Sequence, residues 1–269
     1  MEGKVLTLKC SVLASGSTGN AVYVETKKQR LLIDAGLSGK KMEELLAKVD
    51  RTPRELDAIL VSHEHSDHIK GVGILARKYN LPIYANEATW QAMEQSLGPI
   101  QSEQRFHLEP QTVTSFADLD VETFRVSHDA ADPMFFTFHH EGRKLALATD
   151  MGYVSDQIKG TIHGAHTLIF EANHDMNMLR MGKYPWNVKR RILGDMGHVS
   201  NEDAGKALSD CISSHTQQVY LAHLSLDNNM KELARMTVSQ VLEEKGFYSE
   251  GKPPLLDTDP YRPTELISV

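Results

Sequence analysis

Cysteine is scarce: Cys10 and Cys211 are the only two among 269 residues. They lie far apart and outside any Cys-x-x-Cys pattern, which excludes a disulfide framework and a thiolate metal site. A metal in this chain would have to be held by imidazole and carboxylate. Long apolar runs are also missing; none approaches the roughly 18 residues a membrane span requires, so no membrane partner is expected. The opening MEGKVLTLKCSVLASGSTGN alternates like a strand and carries neither a continuous apolar core nor a convincing cleavage site, so it reads as no signal peptide and places the chain in the cytoplasm. A basic excess is absent too. The net charge of −7 repels nucleic acid on average, although a local basic groove or a bound metal reverses the potential where it matters. No Pro/Gly/Ser-rich linker divides the chain, and its length suits one α/β domain over residues 1–269.

What is present has the pattern of such a domain. VLTLKCSVLA, AVYVET and RLLIDA read as three strands of a meander, separated by SGSTGN and KKQ. GKKMEELLAKV has helical spacing, DAILVS is a short buried strand, and IKGVGILARKYN reads as one helix. Further strands are expected at PIYA, VETFRVS, MFFTFHH, KLALATD, TLIFE, QVYLAHLS and TELISV, with helices at NEATWQAMEQSL, NEDAGKALSDCIS and NMKELARMTVSQVLEEKG. The Pro- and Asp-rich GKPPLLDTDPYRP reads as a surface excursion. LLIDAGLS echoes LALATDMGYVS, and VSHEH echoes VSHDA, as two similar β/α halves would leave.

The densest chemistry lies in VSHEHSDHIKG, residues 61–71, where a strand passes into a helix. In an extended loop residues two apart point the same way, so His63 and His65 can converge on one ion while Asp67 and His68 turn toward another. His128 in RVSHDA, Asp150 in LATDMG and His223 in YLAHLS each stand at the end of an expected strand. Seven ligands exceed the needs of one tetrahedral ion and imply two divalent ions. The division gives His63, His65 and His128 to the first and Asp67, His68 and His223 to the second, with Asp150 bridging. Paired ions of this kind hold a hydroxide between them, the expected nucleophile, and Asp67 counts as catalytic as well as ligating. Imidazole and carboxylate donors suit zinc, manganese and iron alike.

These residues resemble the metallo-β-lactamase fold superfamily: LIDAG with Asp34, HEHSDH, His128, Asp150 and His223 follow the order of its five motifs over nearly the whole chain. The resemblance implies a four-layer αββα sandwich with the metals at one edge. It makes Asp34 a residue that orients a ligand, while the sequence alone leaves a turn residue open as well. An acidic bridge with a complete H-x-H-x-D-H is similar to the glyoxalase II, phosphodiesterase and nuclease branches and unlike the β-lactamases. His198 in GDMGHVSNEDA resembles the extra histidine of RNase Z, RNase J and the PhnP phosphodiesterases, close to the metals. A phosphodiester under attack develops charge on its phosphoryl oxygens and leaving alkoxide, which a nearby imidazolium can neutralise and protonate, so His198 is the candidate proton donor. The other reading of His198 is a helix-entry cap near Ser200.

ASGSTGNA, EANHD, YPWNVKRRILGDMGHVSNEDA and LAHLS together are similar to the YycJ/WalJ group. That resemblance implies a two-metal 5′ to 3′ DNA exonuclease activated by manganese, with DNA favoured over RNA as partner. The rival readings are a small-phosphodiester or thioester hydrolase with the same metals, which a narrow closed pocket would favour, and an inactive nucleic-acid-binding module. MGKYPWNVKRRI places Lys183, Lys189, Arg190 and Arg191 beside Tyr184 and Trp186. These are candidates for phosphate and base contacts, or else a solvated helix face with a core tryptophan. SGSTGN is a turn that could also offer N–H groups to a phosphate. Asn173 and His174 approach the site or serve as a helix cap and a surface histidine. Substrate contacts and oligomeric state stay open.

Overall fold

The computed structural model describes residues 8–247 and 252–269. The first half of the chain builds one sheet. Strands β1 (Lys9–Ala14), β2 (Ala21–Glu25) and β3 (Arg30–Ile33) form the expected antiparallel meander. Helix α1 (Gly39–Ala47) leads to β4 (Ala58–Leu60), helices α2 (Ser66–Ile69) and α3 (Val72–Tyr79) to β5 (Ile83–Ala85), and α4 (Glu87–Leu97) to β6 (Arg105–His107). From β3 onward these strands run parallel.

The second half repeats the plan. Strands β7 (Val113–Phe116), β8 (Leu119–Arg125), β9 (Met134–His140) and β10 (Arg143–Ala148) form an antiparallel meander. Helix α5 (Asp156–Ile162) precedes β11 (Thr167–Glu171). Helices α6 (Met176–Met181), α7 (Trp186–Ile192) and α8 (Asn201–Cys211) precede β12 (Gln218–Ala222), and α9 (Lys231–Glu244) precedes β13 (Leu255–Asp257). Strands β10 to β13 are parallel, and β14 (Ile267–Ser268) returns to pair antiparallel with β1. Among the described residues each sheet has seven strands in the same spatial sequence, and the change from antiparallel to parallel falls at β3 in one and at β10 in the other.

Side-chain alternation makes the layers. Along β3, Leu31 and Ile33 enter the core between the sheets, whereas Leu32 faces Met42 and Leu45 of α1, Leu75 of α3 and Trp90 of α4. The second sheet covers its far face with Ile158 and Ile162 of α5, Leu208 of α8 and Val238 and Leu242 of α9. The result is the αββα sandwich expected from the resemblance. Helix starts are set by side-chain caps: Ser38, Asn86, Ser155, Asp175 and Ser200 each accept a backbone N–H of the first turn.

Several expectations change. The helix read over 69–80 breaks at Gly71, whose N–H donates to Ala35 O at 2.7 Å. A Cβ there would stand 2.4 Å from Leu37 O, so only glycine permits this approach. The break leaves α2 as a separate turn carrying Asp67 and His68. The Pro-rich tail is more than a surface excursion: Pro253 and Pro254 precede a strand and Pro260 and Pro263 follow it, and β13 extends the second sheet with Leu255 buried. Residues 5–7 of the first expected strand and Gly251 of the tail lie outside the described residues. Among the described residues no helix is long and apolar enough to cross a membrane.

Candidate metal centre

Three candidate site residues sit just past strand ends in left-handed backbone: Asp34 after β3 (φ 60°), Asp150 after β10 (φ 53°) and His223 after β12 (φ 55°). Such conformations cost a non-glycine residue about 1 kcal/mol or more, and surrounding contacts must hold them. The Asp34/Asp150 echo therefore has a structural basis, since both follow the strand at which their sheet changes direction. The Val-Ser-His echo does not: His63 follows β4 and His128 follows β8, which hold different places in the two sheets.

The ligating atoms of His63, His65 and His128 lie within 4.8 Å of one another, as do those of Asp67, His68 and His223, and of His63, His68 and Asp150. In the first trio His65 Nδ1 is 3.2 Å from His63 Nε2 and 3.3 Å from His128 Nε2. The other nitrogen of each ring is committed. His63 Nδ1 meets Ser62 Oγ at 3.0 Å, His65 Nε2 donates to Asp129 O at 3.2 Å, and His128 Nδ1 donates to Gly197 O at 3.2 Å. Three lone-pair nitrogens thus face one another with no proton between them, which only a cation makes favourable. Their separation matches the roughly 3.3 Å edge of a tetrahedron with metal–nitrogen bonds of about 2.0–2.1 Å.

In the second trio His68 Nε2 and His223 Nε2 lie 3.7 and 3.8 Å from Asp67 Oδ2. Asp150 stands between the trios, with Oδ2 3.3 Å from His68 Nε2, and Oδ1 3.4 Å from His223 Nε2 and 3.9 Å from His128 Nε2. Asp150 Oδ2 and His223 Nε2 are buried without a hydrogen-bond partner. Buried polar atoms are rarely left so, and a metal would satisfy both. The donor set therefore fits divalent ions at both trios.

Electrostatics separate the two trios. Burial pushes His63 and His128 below the ordinary histidine range, leaving them neutral and ready to ligate. Burial would also lower His223, but Asp150, Asp67 and Glu171 hold it up to about 10. His68 is opposed by burial and raised by Asp34 and Asp150. Burial opposes the charge on Asp150, yet His223, His68 and His63 hold it well below the carboxylate range. Without metal, protons on the imidazoles balance these carboxylates; metal binding would displace them.

Asp34 does not join the cluster. Its Oδ1 accepts from Ser62 N at 2.8 Å, and its Oδ2 from Ser62 Oγ at 2.7 Å and His68 Nδ1 at 2.8 Å. It fixes the face that His68 presents, and it also occupies the turn, so both readings describe it. His198 precedes the cap instead of forming it: Ser200 caps α8, and His198 Nδ1 donates to Glu171 Oε1 at 2.7 Å, 3.8 Å from Asp150 Oδ1.

Glu171 escaped the sequence reading. It is fully buried at the end of β11, accepts from His198 Nδ1 and from His223 Nδ1 (3.2 Å) through Oε1, and from Met151 N (2.9 Å) through Oε2. Its signal in the sequence is an acid closing an apolar strand, as in LATD. Of the two readings of Asn173, the approach to the site holds, since it lines the cavity on the cluster, and the cap does not. Asp175, not Asn173, caps α6, and Asn173 Nδ2 donates to His223 O at 2.8 Å. His174 is buried instead of superficial, and burial lowers it to about 4.

The SGSTGN turn clamps the ligand loop. Asn20 N donates to Asp67 O at 2.7 Å, and Asn20 Nδ2 lies 3.3 Å from Asp67 Oδ2 and 3.1 Å from His68 Nε2. Gly36 allows this approach, because a Cβ there would fall 1.7 Å from Asp67 O. Three further N–H groups of the turn are engaged within the protein: Ser15 N donates to Asp259 O, Gly16 N to Asn20 Oδ1 and Gly19 N to Gly16 O. Glu64 is more than a spacer, since its Oε1 accepts from Ala131 N and pins the loop after His128.

A cavity of about 300 Å³ opens on the cluster, lined by His65, Asp67, His128, Asp150, His198 and His223, and on its outer side by Ser17, Tyr184 and Arg191. Trp186 is neither core nor cavity: it is 61% exposed on the outer face of α7. Lys189 is buried as a strut, donating to Arg180 O and Gly182 O.

A family model described as a β-lactamase superfamily domain matches residues 29–224. The chain is 60% identical to exodeoxyribonuclease YycJ of Bacillus anthracis over 96% of its length and 98% of the relative. It is 49% identical to exodeoxyribonuclease WalJ of Streptococcus pneumoniae over 97% and 98%. The metallo-β-lactamase fold protein YhfI of Bacillus subtilis shares the fold with a TM-score of 0.71 at 17% identity, covering 96% of this chain and 99% of that one. With a family model over most of its length and relatives this similar end to end, the chain belongs to the metallo-β-lactamase superfamily.

Proposed function

We infer that this chain is a dinuclear metal-dependent phosphodiesterase that degrades DNA from a 5′ end, in a cytoplasmic setting. The observation that carries the reading is the Glu171–His198 pair beside Asp150, at the cavity that opens on the candidate ligands. Relatives named exodeoxyribonucleases, similar over nearly their whole length, support the substrate.

His63, His65 and His128 would hold one ion, Asp67, His68 and His223 the other, and Asp150 both. When bound, the ions supply Lewis acidity and a nucleophile at neutral pH. The protein's own residues do the rest. Ser62, Asp129 O, Gly197 O, Asp34 and Glu171 fix which nitrogen each ligand imidazole presents. Because Glu171 accepts the hydrogen bond of His198 Nδ1, His198 directs Nε2 away from it, and a proton there can pass to a departing 3′ oxygen.

The cavity is small and carries one guanidinium on its wall, which suits a strand end better than a duplex running through. The test is a manganese- or zinc-supplemented assay of end-labelled single- and double-stranded DNA and RNA beside bis-p-nitrophenyl phosphate. Stepwise loss from the 5′ end of DNA is expected. Hydrolysis of only the small ester, or of a thioester, would overturn the nuclease reading.

A further inference from the structure

Four cations crowd the segment before His198, and the fold gives each a different fate. Lys189 is spent inside the protein on two carbonyls, and Lys183 pairs with Asp227 at 2.8 Å away from the cavity lining. Arg190 is exposed outside that lining. Arg191 alone of the four lines the cavity, its side chain 59% exposed. Its Nε donates to Asp129 Oδ2, and its Nη1 and Nη2 make no hydrogen bond among the described residues. A guanidinium that presents two free donors to a cavity holding Asp67 and Asp150 is shaped for an oxyanion the substrate brings.

Which oxyanion follows from Asp129. Its Oδ1 lies 3.5 Å from His128 Nε2 while its Oδ2 holds Arg191, so a carboxylate stands between the guanidinium and the ligand cluster. Asp129 O also accepts from His65 Nε2, which fixes that carboxylate relative to the cluster. The cation is thereby kept off the seat of the reacting phosphorus and held one group outward. Resting on the phosphodiesterase reading above, we propose that Arg191 binds the phosphate next to the scissile one, the 5′-terminal phosphate of a DNA strand. The site is then specific for a phosphorylated end, and Asp129 keeps the guanidinium oriented until that phosphate arrives.

The test is binding of 3′-labelled single-stranded trinucleotides, with and without a 5′-phosphate, followed by fluorescence anisotropy with manganese on a His198→Ala background. The phosphorylated strand should bind about tenfold or more tightly. Adding Arg191→Gln should bring that ratio near one, and Arg191→Lys should restore part of it. Equal affinity for the two strands before the Arg191 change, or an undiminished ratio in Arg191→Gln, overturns the proposal. Hydrolysis of bis-p-nitrophenyl phosphate by the unaltered protein, which needs no second phosphate, reports separately on the phosphodiesterase reading: loss of that activity with the end preference intact sinks the reading, and the converse sinks only the role of Arg191.

Discussion

Asp34 and Asp150 occupy the same station in two similar halves, each in left-handed backbone just past the strand where its sheet turns from antiparallel to parallel. One points behind the ligands and the other into them. Asp34 spends its oxygens on Ser62 and His68, whereas Asp150 leaves Oδ2 without a partner 3.3 Å from His68 Nε2. In the second half the supporting role passes to Glu171 at the end of the next strand, which serves His223 and His198 together. One half's carboxylate therefore supports ligands alone, and the other's supports a ligand and the candidate proton donor. The same backbone device yields different chemistry because the neighbouring strand end differs.

The sharpest break in this comparison is Asp150→Ala. Removing the shared carboxylate should strip bound metal and lower turnover by about a thousandfold or more, read by metal analysis of the purified protein beside its hydrolysis rate. Full activity would end the dinuclear reading. His198→Ala should retain both ions and lose about 10²–10⁴-fold on DNA. The loss should be smaller on bis-p-nitrophenyl phosphate, whose leaving group needs little protonation; equal losses on both would deny His198 the role of acid.

Glu171→Gln comes next and separates the halves directly. It weakens the hold on His198 and His223 at once, so a drop of about a hundredfold should persist when metal is raised to saturation. Recovery at high metal would reduce Glu171 to a ligand support like Asp34.

The candidate ligands could be picked out because each follows a strand end or fills the 63–68 loop, and local spacing reveals both. Glu171 was not, since its role depends on β11 lying between β10 and β12, a tertiary fact that brings residues 171, 198 and 223 together. The layers could be read from alternation, as along β3. The strand β13 could not, because the flanking prolines dominate the local signal while pairing with β12 decides its conformation. Likewise the four cations of the 183–191 segment look alike in sequence, and only burial and partners tell Lys189 from Arg191.

Asp34→Asn should have the smallest effect and the most instructive form. Asparagine tolerates left-handed backbone as aspartate does, so the substitution removes charge without disturbing the turn. The amide still has one oxygen to accept from Ser62 or His68, but it no longer favours the correct face of His68 as a carboxylate does. Metal affinity should fall by about 10–100-fold. Because the catalytic groups around His198 are untouched, turnover should return when manganese is raised. A rate that stays low at saturating metal would place Asp34 in the chemistry itself and erase the distinction between the two halves.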